Sequence, residues 1–383
     1  MERLLITLIL VCTMNNITNA QNPFYGQYHT PHEAVPFDRI ETEHYEPAIL
    51  EGIKLQNAEI EAIIQNPEKA DFTNTIEAFE ESGELLDKVV AVFGNMLSAE
   101  TNDDLQELAQ KIMPLLSEHS NNITLNKKLF ARVKEVYNQK ETLQLTEEQK
   151  QLLENAYNSF IRHGANLEGE AREEYRRLTT ELSKLTLTFS ENNLKETNAY
   201  QMLLTKKESL AGLPEIIIEA AAETAKNEEK EGWAFTLHAP SYIPFMTYSD
   251  NRDLRQKLYM AYNTKCTHDN EFNNIDIVKK IANTRMKIAQ LLGYKDYAEY
   301  TLKKRMAENS KSVYKLLNQL LEAYTPTAQQ EYKEIQELAR EEQGADFVVM
   351  PWDWSYYSNK LKDKKFNICL LYTSPSPRDS TSS

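Results

Sequence analysis

The chain has 383 residues, enough for one large domain or two or three smaller ones around a sizeable core. Only 10 are glycine while 26% are charged, which disfavours barrels, propellers and nucleotide-cradling loops and favours long helices. A formal charge of −15 repels phosphate backbones and anionic membrane surfaces, so neither nucleic acid nor membrane insertion is expected of it.

Met1-Glu2-Arg3 precedes an apolar run, Leu4 to Cys12, and a polar stretch ending Thr18-Asn19-Ala20. A short apolar run before a small residue reads as a secretory signal peptide over residues 1–20, too short to span a bilayer. The mature protein is therefore expected to be exported, periplasmic or secreted. Beyond it, hydrophobic period 3.6 dominates. Asn74 with Glu77 is expected to cap a helix running through Leu85, Val89, Val90 and Phe93, and Thr146 with Gln149 forms a second capping box. Tyr175, Leu178, Leu182, Leu185 and Phe189 place one apolar stripe along a helix; Val313, Leu316, Leu317, Leu320, Leu321 and Tyr324 make another.

Between those stripes, Ala199 to Leu204 and Trp233 to His238 alternate as strands and flank a helix that Pro214 opens. No tandem repeat is evident. The expected fold is mainly α, a large irregular helical bundle with at most a small β ribbon. Phe347 to Tyr357 crowds eight large apolar residues into eleven, and after Asn367 the composition changes abruptly. Residues 369–383 hold five Ser, two Thr and two Pro without periodicity, so they read as a disordered, non-native tail.

Catalytic constellations are missing from this pattern. A zinc hydrolase usually delivers two imidazoles as HExxH, one helical turn apart. His32-Glu33-Ala34-Val35-Pro36 starts that way, but Pro36 stands in the second histidine position, and Pro31 lies between His29 and His32. His44, His119, His163, His238 and His268 lack a second histidine at i+3 or i+4 and are expected to be surface or capping residues. Cys266 alone remains between leader and tail, so no internal disulfide forms there, and it is expected as a core or boundary residue. GxSxG, GxGxxG and GxxxxGK are absent, and adjacent acids such as Glu147/Glu148, Glu173/Glu174 and Glu228/Glu229 belong to solvated helix faces. No catalytic or metal residue is assigned, and substrate-binding residues stay unassigned.

A distributed resemblance adds what spacing does not. Pro36-Phe37-Asp38-Arg39-Ile40, Glu43-His44-Tyr45-Glu46-Pro47-Ala48, Asn66-Pro67-Glu68 and Phe72 to Ala78 resemble the opening of the peptidyl-dipeptidases of the thimet oligopeptidase family. Ser82 to Leu86, Leu210 to Pro214, Leu291 to Tyr294 and Met350-Pro351-Trp352-Asp353-Trp354 fit in the same order. The resemblance implies a nearly all-helical zinc metallopeptidase whose two halves enclose a channel for short peptides. Its HExxH helix and downstream Glu would lie beyond the point corresponding to Asn367. Residues 21–368 are then expected to be the N-terminal half of such a two-lobed peptidase, inactive alone and binding no zinc. A non-enzymatic helical binding module is the competing expectation, and an unrelated helical scaffold a third. Loss of the second half is expected to bare apolar surface, above all at Phe347 to Tyr357.

Overall fold

The computed structural model describes residues 22–366. The expected leader (1–20) and tail (369–383) fall outside the described residues. Thirteen α-helices of six residues or more, with shorter helical turns and one two-stranded ribbon, make up the described chain, so the mainly α expectation holds. The chain divides into two compact units, Met1–Thr188 with Lys280–Tyr300, and Phe189–Lys279 with Thr301–Ser383.

The first unit is built from α1 (Thr42–Gln65), α2 (Glu84–Ala99), α3 (Asp103–Thr124), α4 (Lys127–Asn138), α5 (Glu147–Arg162) and α6 (Gly169–Ala199), the last as far as Thr188. Side-chain caps start α3, α4 and α5. The Asn102 amide oxygen takes the Leu105 N–H at 2.8 Å, and Thr146 and Gln149 form the expected reciprocal box at 3.1 and 3.2 Å. The helix expected from Asn74 to Phe93 is interrupted. Asp71, not Asn74, is the cap, accepting the Asn74 N–H at 2.7 Å, and it opens a π-helical turn, Phe72–Glu77. That turn runs on through Ala78–Glu80, and Gly83, at a left-handed φ of 88°, then redirects the chain into α2.

Three apolar clusters fill this unit. Tyr45, Ala48 and Ile49 of α1 pack with Leu86, Val89 and Phe93 of α2 and Ile112 of α3. Ile60 and Ile63, at the other end of α1, meet Phe72, Val133 of α4 and Phe160 of α5. Gly52 lets α1 and α2 approach, since a Cβ there would lie 2.9 Å from the Leu86 Cα. The α6 stripe is buried only where it starts, at Tyr175 and Leu178, against Leu125 and Ile288; Phe189 is exposed.

The second unit begins with β1 (Gln201–Leu204) and β2 (Trp233–Thr236), antiparallel with Gln201 opposite Thr236 and Leu204 opposite Trp233, as the alternation implied. Between them runs α7 (Glu215–Asn227), with Pro214 at its N-cap. After β2 come α8 (Ala239–Tyr248), α9 (Arg252–Asn263) and α10 (Ile275–Leu291), whose residues from Lys280 belong to the first unit, as does α11 (Tyr297–Leu302) up to Tyr300. Met202, Phe235, Phe245 and Leu258 centre the ribbon's core. Last come α12 (Ser310–Gln343) and α13 (Trp354–Phe366), which bury Ile335, Leu338 and Ala339 against Val349, Tyr356 and Tyr357. The aromatic stretch is thus not bared as a block. Val349, Tyr356 and Tyr357 are core, while Val348, Met350 and Trp354 are exposed.

Candidate functional site

Arg252 and Arg255 stand at i and i+3 on α9, one turn apart on one face. Both reach Asp353, whose side chain is fully buried at the centre of Met350-Pro351-Trp352-Asp353-Trp354. Arg252 Nε donates to both carboxylate oxygens at 3.1 and 3.0 Å, and its Nη2 to Oδ2 at 2.7 Å. Arg255 Nη2 donates to Oδ1 at 2.8 Å, and the Met350 N–H to Oδ2 at 3.0 Å. Arg255 also donates to the carbonyls of Ser249 (2.7 Å) and Trp352 (3.2 Å). The two guanidiniums lie over rings, Arg252 4.3 Å from Phe347 and Arg255 4.1 Å from Tyr356. Tyr356 completes the set by donating its hydroxyl to Asp250 Oδ1 at 2.7 Å.

With four N–H donors making five hydrogen bonds to one carboxylate, Asp353 has no oxygen left to take a proton from a substrate. The group is therefore a clamp that fixes residues 347–357 on α9. The sequence offered a signal for it, an acid among aromatics and two arginines at helical spacing, but not the pairing across a hundred residues of chain.

Other titratable side chains do not converge on a reaction centre. His29 and His32 are exposed and sit at φ 55° and 59°, in loop and 3₁₀ backbone. His44 caps α1, its Nδ1 accepting the Glu41 N–H at 2.9 Å. His163 ends α5 and His238 precedes α8. His119 departs from the expected surface or capping role. It is buried inside α3 with Nε2 2.6 Å from Gln56 Oε1, and burial lowers its pKa because the interior disfavours the charged ring.

Cys266 is buried, as expected, and sits near Glu196 and His268. His268 Nδ1 is 2.7 Å from Glu196 Oε1, and the Cys266 N–H donates to Glu196 Oε2. Burial, then the hydrogen bond with Glu196, pushes the thiol up to about 11. For Glu196 burial pulls upward, but the bonds from His268 and Cys266 outweigh it and hold the carboxyl below its usual range. A thiol so strongly held protonated, hydrogen-bonded to a carboxylate, is not an activated nucleophile.

One surface stands out instead. Tyr314, Leu316, Leu317, Leu320, Leu321 and Tyr324 of α12 are all exposed, Leu321 at 65% and Tyr324 at 66%. The expected stripe is there, but no described residue covers these six side chains. Leu317, Leu320 and Leu321 precede Ile335, Leu338 and Ala339 by 18 residues each, five turns at about 3.6 residues per turn, so the spacing puts both sets on one helix face, with Pro326 inside the helix between them. Helix α13 covers the C-terminal set, where Ile335 is only 3% exposed.

Residues 245–377 match the sequence profile of Peptidase family M3. Over 348 residues the chain is 34% identical to dipeptidyl carboxypeptidase of Escherichia coli, covering 91% of this chain and 51% of that protein. It is 30% identical over 351 residues to oligopeptidase A of Salmonella typhimurium, covering 91% and 51%. It is 27% identical over 359 residues to organellar oligopeptidase A of Arabidopsis thaliana, covering 92% and 44%. The chain spans about half the length of the curated relatives it matches.

Proposed function

We propose that this chain, which belongs to peptidase family M3, forms the non-catalytic half of a zinc metallopeptidase that hydrolyses short peptides, releasing dipeptides from their C-termini. One observation carries the reading: 34% identity to a dipeptidyl carboxypeptidase, extending over 91% of the chain. The Asp353 clamp supports it, because it gives the quoted resemblance at Met350 to Trp354 a structural purpose.

The M3 family is zinc-dependent in general. Among the described residues no group of three or more His, Cys, Asp or Glu side chains could hold a metal ion. The described residues therefore offer zinc no such set of ligands. In our reading the metal and its ligands belong to the part of the relatives' length that this chain does not span, and the described residues position peptide beside them. We further propose export to the periplasm or medium, from the Leu4 to Cys12 run before Ala20. No described helix is long and apolar enough to cross a membrane.

A second reading, a non-enzymatic helical peptide-binding module, draws on the burial of Val349, Tyr356 and Tyr357 within this chain. Metal analysis after dialysis, with assay of a blocked oligopeptide, separates these from a self-sufficient enzyme. The proposal expects less than one tight zinc per chain and no dipeptide. Stoichiometric zinc with chelator-sensitive dipeptide release would overturn it. Fractionation of an expressing Gram-negative host tests export, which a cytoplasmic product retaining Met1 to Ala20 would contradict.

A further inference from the structure

We infer that the exposed face of α12 from Tyr314 to Tyr324 is the seat on which the other half of the peptidase fold docks, through an apolar helix of its own. This rests on the M3 reading and deepens it.

The shape of the face argues for a helix. Val313, Leu317 and Leu321 form one i, i+4 ridge, and Leu316, Leu320 and Tyr324 a parallel one, leaving a groove into which the ridge of a second helix packs. Three turns of helix, roughly 17 Å, suit one helix crossing. A short peptide substrate fits it less well, since ligand sites are concave and carry convergent polar groups, whereas this face is convex and apolar apart from its two tyrosine hydroxyls. Exposed leucines on this scale are rare on a protein that works alone.

Continuity identifies the occupant. On the same face, five turns further along, Ile335, Leu338 and Ala339 are covered by α13, a neighbouring helix of this fold. The relatives are about twice the length of this chain, so they contain a further body of M3 structure able to continue that cover. A second copy is disfavoured, because two chains of charge −15 repel one another.

The test co-expresses the tagged chain with the part of the Escherichia coli dipeptidyl carboxypeptidase that the similarity does not cover. Three tagged chains are compared: wild type, the Leu317→Glu/Leu321→Glu double variant, and Gln319→Glu on the opposite side of α12. Wild type and Gln319→Glu should co-purify as a 1:1 complex by light scattering, with at least a tenfold loss for the double variant. Each chain alone should melt at the same temperature, because the substituted leucines are exposed. Failure of wild type to capture the partner, equal capture by the double variant, or a wild-type homodimer that the double variant disperses would overturn the inference. Dipeptide release is scored separately. A leucine-dependent complex without chelator-sensitive release leaves the docking intact and sinks the peptidase reading.

Discussion

Asp353→Ala should be the most damaging single change in the second unit. It removes the carboxylate that neutralises Arg255, a residue only 1% exposed, and leaves that guanidinium with the Ser249 and Trp352 carbonyls and the Tyr356 ring but no counter-charge. Breaking a buried pair by deleting one partner costs roughly 3–5 kcal/mol. At about 2–4 °C per kcal/mol for a unit of this size, melting should fall by roughly 6–20 °C. Arg252 is the internal control. Its side chain is 39% exposed, so Arg252→Ala should cost only about 1 kcal/mol, through a partly solvated ion pair and the Phe347 contact. Asp353→Asn, which keeps the shape and one acceptor but not the charge, should fall between them. Trp233, Trp352 and Trp354 are the chain's 3 tryptophans and all lie in the second unit, so tryptophan fluorescence reports its unfolding separately from far-UV circular dichroism. Asp353→Ala melting within about a degree of wild type, or Arg252→Ala matching it, would refute the clamp.

Gly52→Ala should destabilise the first unit by about 1–3 kcal/mol despite alanine's better helix propensity, because the new methyl meets the Leu86 backbone; the dichroism melt should shift while the tryptophan melt stays put. Cys266 should resist iodoacetamide at pH 8 in the folded chain and react once denatured, read by peptide mass, since its thiol titrates near about 11; equal rates would contradict its burial. His119 titrates below its ordinary 6.5, so as pH falls through 6.5 the unfolded chain takes the proton first and the first unit loses stability until the folded value is passed. His119→Gln should flatten the dichroism-detected melting temperature between pH 6.5 and 4.5; an unchanged pH slope would show that this ring contributes nothing to it.

The helices and the ribbon were legible because each depends on neighbours in sequence, through 3.6- and 2-residue periods and caps such as Thr146. Long-range facts were not. The α12 stripe reads like any core stripe, since periodicity shows that a face is apolar and not what lies against it. The break before α2 hung on Asp71 rather than Asn74 standing at the cap position of their reciprocal box, and on one left-handed glycine. His119 looked like a surface residue until α3 packed it beside Gln56. Likewise the Asp353 clamp joins residues about a hundred positions apart, and only the fold reveals that the acid among the aromatics is neutralised.

The central claim, that these residues scaffold a catalytic half they do not contain, is tested most directly by zinc content and dipeptide release measured on the same samples, with and without the complementary half of the Escherichia coli relative. The account predicts substoichiometric zinc and no release from the chain alone, and one zinc with chelator-sensitive release once the halves are combined. One tightly held zinc and dipeptide release from the chain alone would contradict it.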